Sequence, residues 1–155
     1  MPLVAGPDVV PRRAGRVLPI DPTGRVLLLC GFDPANPAQP FWFTVGGGVD
    51  PGETLAECAA RELREEAGIA TDPAALGDPV WHRTVEFGFN GTRYRQDEDY
   101  FVLRVGSRAV SLDGMDDWEK QTVTGYRWLT APELDTLAEP FGPRELPGLL
   151  RELAA

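Results

Sequence analysis

The segment TLAECAARELREEAG, which starts at Thr54, constrains the fold more strongly than any other part of the chain. Thr54 and Glu57 have the spacing of a capping box, which marks the start of a helix. Gly68 stands where a helix commonly ends in the left-handed conformation. The segment therefore predicts a helix over about 55–67, with an apolar side that must be buried against another element.

Three glutamates of this helix share one side of it. At about 100° per residue, Glu66 falls inside the edge of the apolar stripe, Glu62 borders the stripe and Glu65 lies just beyond it. The stripe itself is formed by Leu55, Ala59, Leu63 and Ala67. Carboxylates at this spacing repel one another, and partly buried carboxylates need partners. Arg61 is within helical reach, but one arginine cannot satisfy three acids.

A divalent cation would satisfy these glutamates, because Mg²⁺ binds carboxylate oxygens and keeps waters for substrate phosphates. The preceding segment agrees with this interpretation. Gly46, Gly47 and Gly48 end a predicted strand and let the backbone approach a ligand closely, so that their carbonyls could add a metal ligand. An acidic surface helix is the simpler alternative. It explains the capping box, but it does not explain the glutamates beside the apolar stripe.

The rest of the chain predicts more strands than helices. Strands are predicted at 16–21, 25–32, 41–47, 80–89, 92–105 and 122–129, and two further helices at 130–137 and 143–155. Residues 1–13 are predicted to be a loose leader, and 33–40 a loop because of its prolines. Hairpins alternating with single helices predict an α/β (α+β) fold with a mixed sheet between helices. Without repeats or a long linker, residues 1–155 are expected to form one domain.

Composition narrows the class of function. The formal charge of −9 argues against a nucleic-acid partner, which needs a basic face, but permits a small phosphorylated substrate held through a metal. Two cysteines and one histidine cannot form a disulfide framework or a zinc finger. No segment is apolar enough to span a membrane, and the N-terminus is a poor signal peptide. We therefore expect a soluble cytoplasmic protein without a membrane partner.

Residues 47–69 resemble the Nudix box, the signature of the Nudix hydrolases. The pattern requires a glycine, a glutamate, an Arg-Glu pair, a Glu-Glu pair and a second glycine at fixed spacings, with apolar residues at two positions. The matching residues are Gly47, Glu53, Arg61, Glu62, Leu63, Glu65, Glu66, Gly68 and Ile69. A match at every fixed position is far more specific than a short glycine motif. One departure lies just before the glycines, where many members carry proline and this chain has Val45.

The resemblance implies a Nudix-like α/β/α sandwich. It also implies hydrolysis, dependent on Mg²⁺ or Mn²⁺, of a nucleoside diphosphate linked to another group. Glu62, Glu65 and Glu66 would bind the metal, with the carbonyl of Gly46 as a further ligand. In some members the residue that matches Glu62 is also the general base.

The other box residues would support this site. Arg61 is assigned to the catalytic residues. It would form an ion pair with Glu53 and so hold the loop against the helix. The glycines of the motif would be structural: Gly47, Gly48 and Gly68.

A general base from outside the box is also expected, because family members often use a glutamate on another loop. Candidates here are Glu98 in RQDEDYF and Glu119 in DDWEKQT. Glu98 alternates with Gln96 and Tyr100 on one face of a predicted strand, which would direct it toward the site. For both glutamates a solvated surface acid is the alternative.

Residues that contact the substrate are less strongly specified. Trp42 and Tyr94 would stack on a base, although aromatic residues in strands more often belong to the core. Arg83 and Arg95 would bind terminal phosphates, although exposed strand arginines are common. The substrate stays open among oxidised nucleoside triphosphates, ADP-ribose, dinucleoside polyphosphates and NADH. A homodimer is possible, since dimers are frequent in the family.

Two other functions fit the same fold. Isopentenyl diphosphate isomerases resemble Nudix proteins but use a catalytic cysteine, and their box is usually less regular. A nucleotide-sensing domain without catalysis would usually need an added output module, and no basic helix-turn-helix segment is visible. The complete set of box glutamates favours the hydrolase over both.

Overall fold

The computed structural model describes residues 9–106 and 109–154. The strands are β1 (Val9–Ile20), β2 (Val26–Asp33), β3 (Asn36–Gly48), β4 (Trp81–Phe89), β5 (Thr92–Arg104), β6 (Val123–Leu129) and β7 (Phe141–Gly142). The helices are α1 (Leu55–Ala67), α2 (Asp117–Thr122), α3 (Ala131–Asp135) and α4 (Leu146–Ala154), and a short 3₁₀ helix covers Pro73–Leu76.

The strands of the described residues join in one mixed sheet. Its order is β4-β5-β1-β2-β3-β7, and β6 pairs with β2. β1 runs parallel to β5 and β3 runs parallel to β7, whereas the other pairs are antiparallel. The end of β3 also pairs with β1, where Gly46 lies opposite Arg16. The predicted mixed sheet is therefore confirmed.

Helices cover both faces of this sheet, because successive strand residues point to opposite sides. α1 packs through Ala59, Leu63 and Ala67 on a face that includes Val17, Leu27, Leu29, Val45 and Phe101. α3 and α4 pack through Leu134, Leu146 and Leu150 on the other face, which includes Leu18, Ile20, Leu28 and Tyr100. Each fully buried leucine or valine stabilises the fold by about 1.5–3 kcal/mol. The predicted α/β/α sandwich is thus confirmed.

α1 has the predicted bounds. The hydroxyl of Thr54 accepts a hydrogen bond from the backbone N–H of Glu57 at 3.1 Å, and the Glu57 carboxylate accepts from the N–H of Thr54 at 2.8 Å. At the other end Gly68 has φ 70°, and its N–H donates to the carbonyl of Arg64. Glycine adopts this left-handed conformation without strain. α1 is therefore fixed at both ends, so the directions of its glutamates are fixed as well.

Two local predictions were wrong, and both involve edge strands. Residues 9–13 are not a leader, because they begin β1 and pair with Arg93–Asp97 of β5. Residues 1–8 lie outside the described residues. The predicted loop 33–40 contains the first residues of β3, which pair with β2. In both segments the strand has a neighbour on one side only, and an edge strand tolerates prolines, which cannot donate a hydrogen bond.

The sequence did not predict α2, which has only six residues. β1 and β2 meet as a hairpin only where Ile20 lies opposite Val26, because the rest of β1 pairs with β3 and β5. Among the described helices, none combines the length and the apolar content that crossing a bilayer requires.

Candidate active site

A cavity of about 480 Å³ lies where α1 and α2 meet the sheet. Its walls carry acidic, basic and aromatic side chains. The acids are Asp33, Glu62, Glu66, Glu98 and Glu119, and the arginines are Arg12, Arg16 and Arg83. The large aromatic residues are Phe32, Phe41, Trp42, Phe43, Phe87, Phe89, Tyr100 and Trp118. Of the predicted site residues, most of the charged ones are therefore brought together at this cavity.

The box glutamates of α1 point toward the protein, as their angular positions indicate. Glu62 and Glu66 are only 8% and 5% exposed, whereas Glu65 is partly exposed. Glutamate is rarely buried to this extent unless it is paired. The orientation expected from the sequence is therefore found for two of the three glutamates, while Glu65 lies at the border of the site.

The glycines after β3 make room for these side chains. The N–H of Gly46 donates to Glu66 Oε1 at 2.8 Å. A Cβ atom at residue 47 would lie 1.9 Å from Glu62 Oε2, so only glycine leaves space for that carboxylate. The sequence suggested that the glycines admit a ligand. In the structure they admit the carboxylates of the box itself.

Arg61 connects the loop to the helix. Its Nε donates to Glu53 Oε2 at 2.6 Å, and its Nη1 donates to Glu62 Oε1 at 3.0 Å and Glu65 Oε1 at 3.2 Å. Its Nη2 donates to the carbonyl of Gly48 at 3.1 Å. The hydrogen bond to Glu53 is the main reason that the pKa of Arg61 is raised. The ion pair implied by the resemblance is present, and it holds the loop against α1.

α2 adds a further acid to the site. The N-terminus of α2 is fixed by a capping box in which Asp116 accepts from the backbone N–H of Glu119 at 2.8 Å. The Glu119 side chain lies beside Glu66 and contributes to the raised pKa of that acid. Burial, together with the nearby carboxylates, raises the pKa of Glu62 to about 7 despite Arg61. Burial, with Glu62 and Glu119 beside it, also raises the pKa of Glu66 well above its ordinary value. The surroundings therefore disfavour the charged forms of Glu62 and Glu66, and a bound cation would favour them.

The acids at this site fit a hard divalent cation by their chemistry, because all their donors are carboxylate oxygens. Within residues 9–106 and 109–154, no three Asp, Glu, Cys or His side chains are already arranged around one point. Glu62 and Glu65 instead accept hydrogen bonds from Arg61. Cation binding would therefore require rotamer changes in these side chains.

Glu98 of β5 faces the same cavity in different surroundings. Its Oε1 accepts from Arg83 Nε at 2.6 Å and from the Tyr100 hydroxyl at 2.7 Å. Its Oε2 accepts from Gln96 Nε2 at 2.6 Å and from Arg16 Nε at 3.3 Å. Burial alone would raise the pKa of Glu98, but the two arginines and the hydroxyl lower it to about 2. A general base works best with a pKa near the operating pH, so Glu98 is poorly suited to that role.

The predicted substrate residues divide into two groups. Trp42 and Arg83 line the cavity, and Trp42 is also part of the core. Tyr94 and Arg95 do not line the cavity. Tyr94 packs against a neighbouring phenylalanine and beneath the guanidinium of Arg12, and Arg95 is exposed.

The cavity residues that sequence reasoning missed include Arg12, Arg16 and Trp118. Arg12 and Arg16 are four residues apart in β1 and therefore share a face of the strand. This pattern was not recognised, because residues 1–13 were predicted to be a leader. Trp118 is 45% exposed on α2. The spacing of Asp116 and Glu119, which is that of a capping box, could have revealed this helix.

The two cysteines do not take part in the cavity wall. Cys58 is buried and donates from Sγ to the carbonyl of Gly47 at 3.2 Å. Burial raises the pKa of its thiol to about 11. A nucleophilic cysteine needs a lowered pKa, so the structure does not favour an isomerase that works through a thiol.

Comparison with known proteins identifies the family. The chain is 31% identical over 135 residues to the dihydroneopterin triphosphate diphosphatase of Escherichia coli (strain K12), across 79% of this chain and 80% of that protein. It is 32% identical over 108 residues to the RNA pyrophosphohydrolase of Erythrobacter litoralis, and there it spans 64% of this chain and just under two thirds, 65%, of the relative. The fold is similar to that of the MutT protein from Methanosarcina mazei Go1, with a TM-score of 0.67 and 21% identity over 95% of both chains. The NUDIX domain family matches residues 10–150. The chain therefore belongs to the Nudix hydrolases.

Proposed function

We propose that this hydrolase cleaves a phosphoanhydride bond in a nucleoside diphosphate linked to another group, with Mg²⁺ or Mn²⁺ as cofactor. The observation that carries the proposal is the meeting of Glu62, Glu66 and Glu119 at one cavity, where burial and the neighbouring acids raise the pKa values of Glu62 and Glu66. A small nucleotide-derived triphosphate is the favoured substrate. Support comes from relatives named dihydroneopterin triphosphate diphosphatase and nucleoside triphosphatase.

The box residues would hold the cofactor. Glu62, Glu65 and Glu66, with the carbonyl of Gly46, are the assigned ligands. A bound Mg²⁺ or Mn²⁺ supplies charge neutralisation at phosphate oxygens and lowers the pKa of a bound water. Arg61 of α1 holds the preceding loop at a fixed distance through its bonds to Glu53 and to the carbonyl of Gly48, so that the ligands stay together.

Glu119 accepts the proton of the attacking water in this proposal. It is partly exposed at the cavity and is held beside Glu66 by the capped start of α2. Glu62, the other candidate from the box, is more deeply buried and is hydrogen-bonded to Arg61. Glu98 is the weakest of the candidates, because its donors hold it as a stable anion with a pKa of about 2.

The rest of the cavity suits a small ligand with a planar ring and a phosphate chain. Its volume of about 480 Å³ is within the range of small-molecule sites. Its aromatic side chains can stack on a base or a pterin, and its arginines can bind phosphate oxygens. The formal charge of −9 favours such a ligand over an RNA chain. The cytoplasm is the proposed location, since its reducing conditions suit the two free, buried cysteines.

A substrate panel tests this function. The purified protein is incubated with Mg²⁺ or Mn²⁺ and, in turn, dihydroneopterin triphosphate, nucleoside triphosphates, ADP-ribose, isopentenyl diphosphate and an RNA oligonucleotide with a 5′-triphosphate. Products are identified by mass. We expect a small triphosphate to be hydrolysed, and EDTA to stop the reaction.

The matched variants are Glu66→Gln at the site and Glu152→Gln on the exposed side of α4. Mn²⁺ binding is measured separately by calorimetry, and Glu66→Gln should weaken it while Glu152→Gln should not. Absence of turnover on the whole panel would overturn the proposal. Isomerisation of isopentenyl diphosphate without phosphate release would favour the isomerase, and exclusive cleavage of the RNA would replace the small substrate with a polymer.

A further inference from the structure

The second charged group at the cavity is centred on Glu98. The strand register gives its order across the sheet: Gly46 lies opposite Arg16 on β1, and Glu98 on β5 lies opposite Arg83 on β4. β1 and β5 are neighbours. Arg16 is therefore next to the loop that carries the box glycines, and Arg83 is two strands farther away. Adjacent strands are about 4.8 Å apart, so β4, which carries Arg83, lies about 10 Å across the sheet from β1, which carries Arg16.

The arginines of this group keep donors free. Arg83 bonds to Glu98 through Nε, and none of the described residues accepts a hydrogen bond from its two terminal nitrogens. Arg16 uses Nε for Glu98 and Nη1 for the carbonyl of Thr44 at 3.1 Å, which leaves Nη2 without an acceptor among the described residues. Guanidinium N–H groups in this fixed arrangement match the oxygens of a phosphate.

Glu98 itself is fully engaged. Arg16, Arg83, Gln96 and Tyr100 donate four hydrogen bonds to its two oxygens. It therefore has little capacity left for a ligand or for a proton from water. With two guanidinium groups and one carboxylate, the group has a net positive charge. An anion is the ligand that such a buried group attracts.

We infer that Arg83, oriented by Glu98, binds a phosphate of the substrate other than the one attacked. This inference rests on the proposed function for its substrate. Glu98 is a positioning residue, because it acts through Arg83 and Arg16 and does not touch the reacting atoms. The acidic site and the arginine group then bind successive parts of one polyphosphate chain.

Binding of inorganic tripolyphosphate tests the anion site without turnover. Calorimetry is done in EDTA, so the result depends neither on metal nor on the identity of the substrate. Arg83→Ala should weaken binding by about 10- to 100-fold, the range for lost hydrogen bonds to charged groups. Arg83→Lys should recover part of that loss, because lysine restores the positive charge but not the planar guanidinium group with its several N–H donors. Arg93→Ala is the matched control, since Arg93 is an exposed arginine of the same hairpin and does not line the cavity.

Kinetics with a substrate from the panel tests the role of Glu98. Glu98→Gln keeps the size of the side chain but removes the charge that holds two arginines, so KM should rise about tenfold with kcat nearly unchanged. A general base behaves differently, because its loss lowers kcat by about 10²–10⁴. That second result would overturn the inference. So would tripolyphosphate binding by Arg83→Ala as tight as in the wild type, an outcome that leaves the proposed hydrolysis intact.

The stability of the variants is measured in parallel. Arg83→Ala leaves Glu98 with three of its four donors, so this variant carries the test if Glu98→Gln does not fold.

Discussion

Two groups of buried carboxylates line one cavity and are compensated in opposite ways. Glu98 is 2% exposed and accepts a hydrogen bond from an amide, and two arginines and a hydroxyl lower its pKa to about 2. Glu66 is 5% exposed, receives one backbone N–H from Gly46 and lies against another acid, and its pKa is raised. Since the two are buried to nearly the same degree, their different partners decide in which direction each pKa is shifted.

This difference separates stability from ligand binding. In the Glu98 group, the charge of the carboxylate is balanced by its donors Arg16, Arg83, Gln96 and Tyr100. The group therefore stabilises the fold and orients its arginines without a ligand. The Glu66 group has more negative charge than its surroundings can balance, and a bound cation would complete it. Perturbed carboxyl groups of this kind are typical of functional sites and lower the stability of the free protein.

The largest expected effect is that of Glu66→Gln, which removes one carboxylate from the group formed by Glu62, Glu66 and Glu119. Glutamine keeps an acceptor for the N–H of Gly46 but cannot supply the charge that a cation needs. We expect activity to fall about 1000-fold, as when a charge-stabilising group is lost. The thermal midpoint measured in EDTA should rise, because glutamine removes the cost of burying the Glu66 carboxylate beside Glu62 and Glu119. A variant that loses activity and is also less stable in EDTA would show that Glu66 is not destabilised by its neighbours.

Acid titration tests the second group of carboxylates, the one centred on Glu98. The pKa of Glu98 is about 2 in the folded protein against an ordinary value of 4.5. A lowered pKa means that the carboxylate stabilises the fold above the unfolded value, and that this contribution is lost as the pH falls from 4.5 toward 2. The contribution is about 3 kcal/mol from the size of the shift. It is measured as the difference in unfolding free energy between wild type and Glu98→Gln, from urea titrations at several pH values.

That difference should shrink below pH 4.5. Glu86→Gln is the matched control, because Glu86 lies on the neighbouring strand, is half exposed and pairs with Arg93 at 3.6 Å. A constant difference down to pH 2 would mean that Glu98 is not stabilised as an ion.

The sequence predicts the Glu66 group much better than the Glu98 group, and the reason is the range of the interactions. The ends of α1 depend on Thr54, Glu57 and Gly68, all within one short segment, so its bounds and the direction of its glutamates follow from local rules. The mixed sheet covered by helices follows from the alternation of hairpins and helices, and the α/β/α sandwich follows from the resemblance to the Nudix family. By contrast, Arg16 and Glu98 meet across 82 positions of sequence, and nothing local indicates the pairing.

Dependence on distant residues also explains why 9–13 were wrongly predicted to be part of a leader. Residues 9–13 become a strand only because β5 lies beside them, and the side chains there are mostly exposed, so no apolar alternation marks them. Arg12 was missed for that reason. Glu98 was assigned to the correct face of its strand, but its charge state depends on Arg83 and Arg16, which come from two other strands.

Gly47→Ala has a smaller expected effect and acts on the Glu66 group alone. The added Cβ would lie 1.9 Å from Glu62 Oε2, so the carboxylate must move away from the loop. We expect Mn²⁺ affinity to fall about 10- to 100-fold, as for lost support of a metal ligand. Gly125→Ala in β6 is the control, because a Cβ atom added there would have no atom of a residue beyond its chain neighbours within 4 Å. Equal Mn²⁺ affinity in the two variants would show that Glu62 does not need its place beside residue 47.

Tyr100→Phe removes one donor from the Glu98 group and should have the smallest effect. The lost hydrogen bond to Glu98 measures 2.7 Å, and a bond to a charged group contributes about 1.5 kcal/mol or somewhat more. Both arginines and Gln96 remain, so the pKa of Glu98 should stay below its ordinary value and the acid dependence of stability should persist. Tyr126→Phe is the control, since that tyrosine is 41% exposed. If Tyr100→Phe abolished the acid dependence, the hydroxyl rather than the arginines would keep Glu98 ionised. Glu98 would then not be the residue that orients Arg16 and Arg83 toward a phosphate.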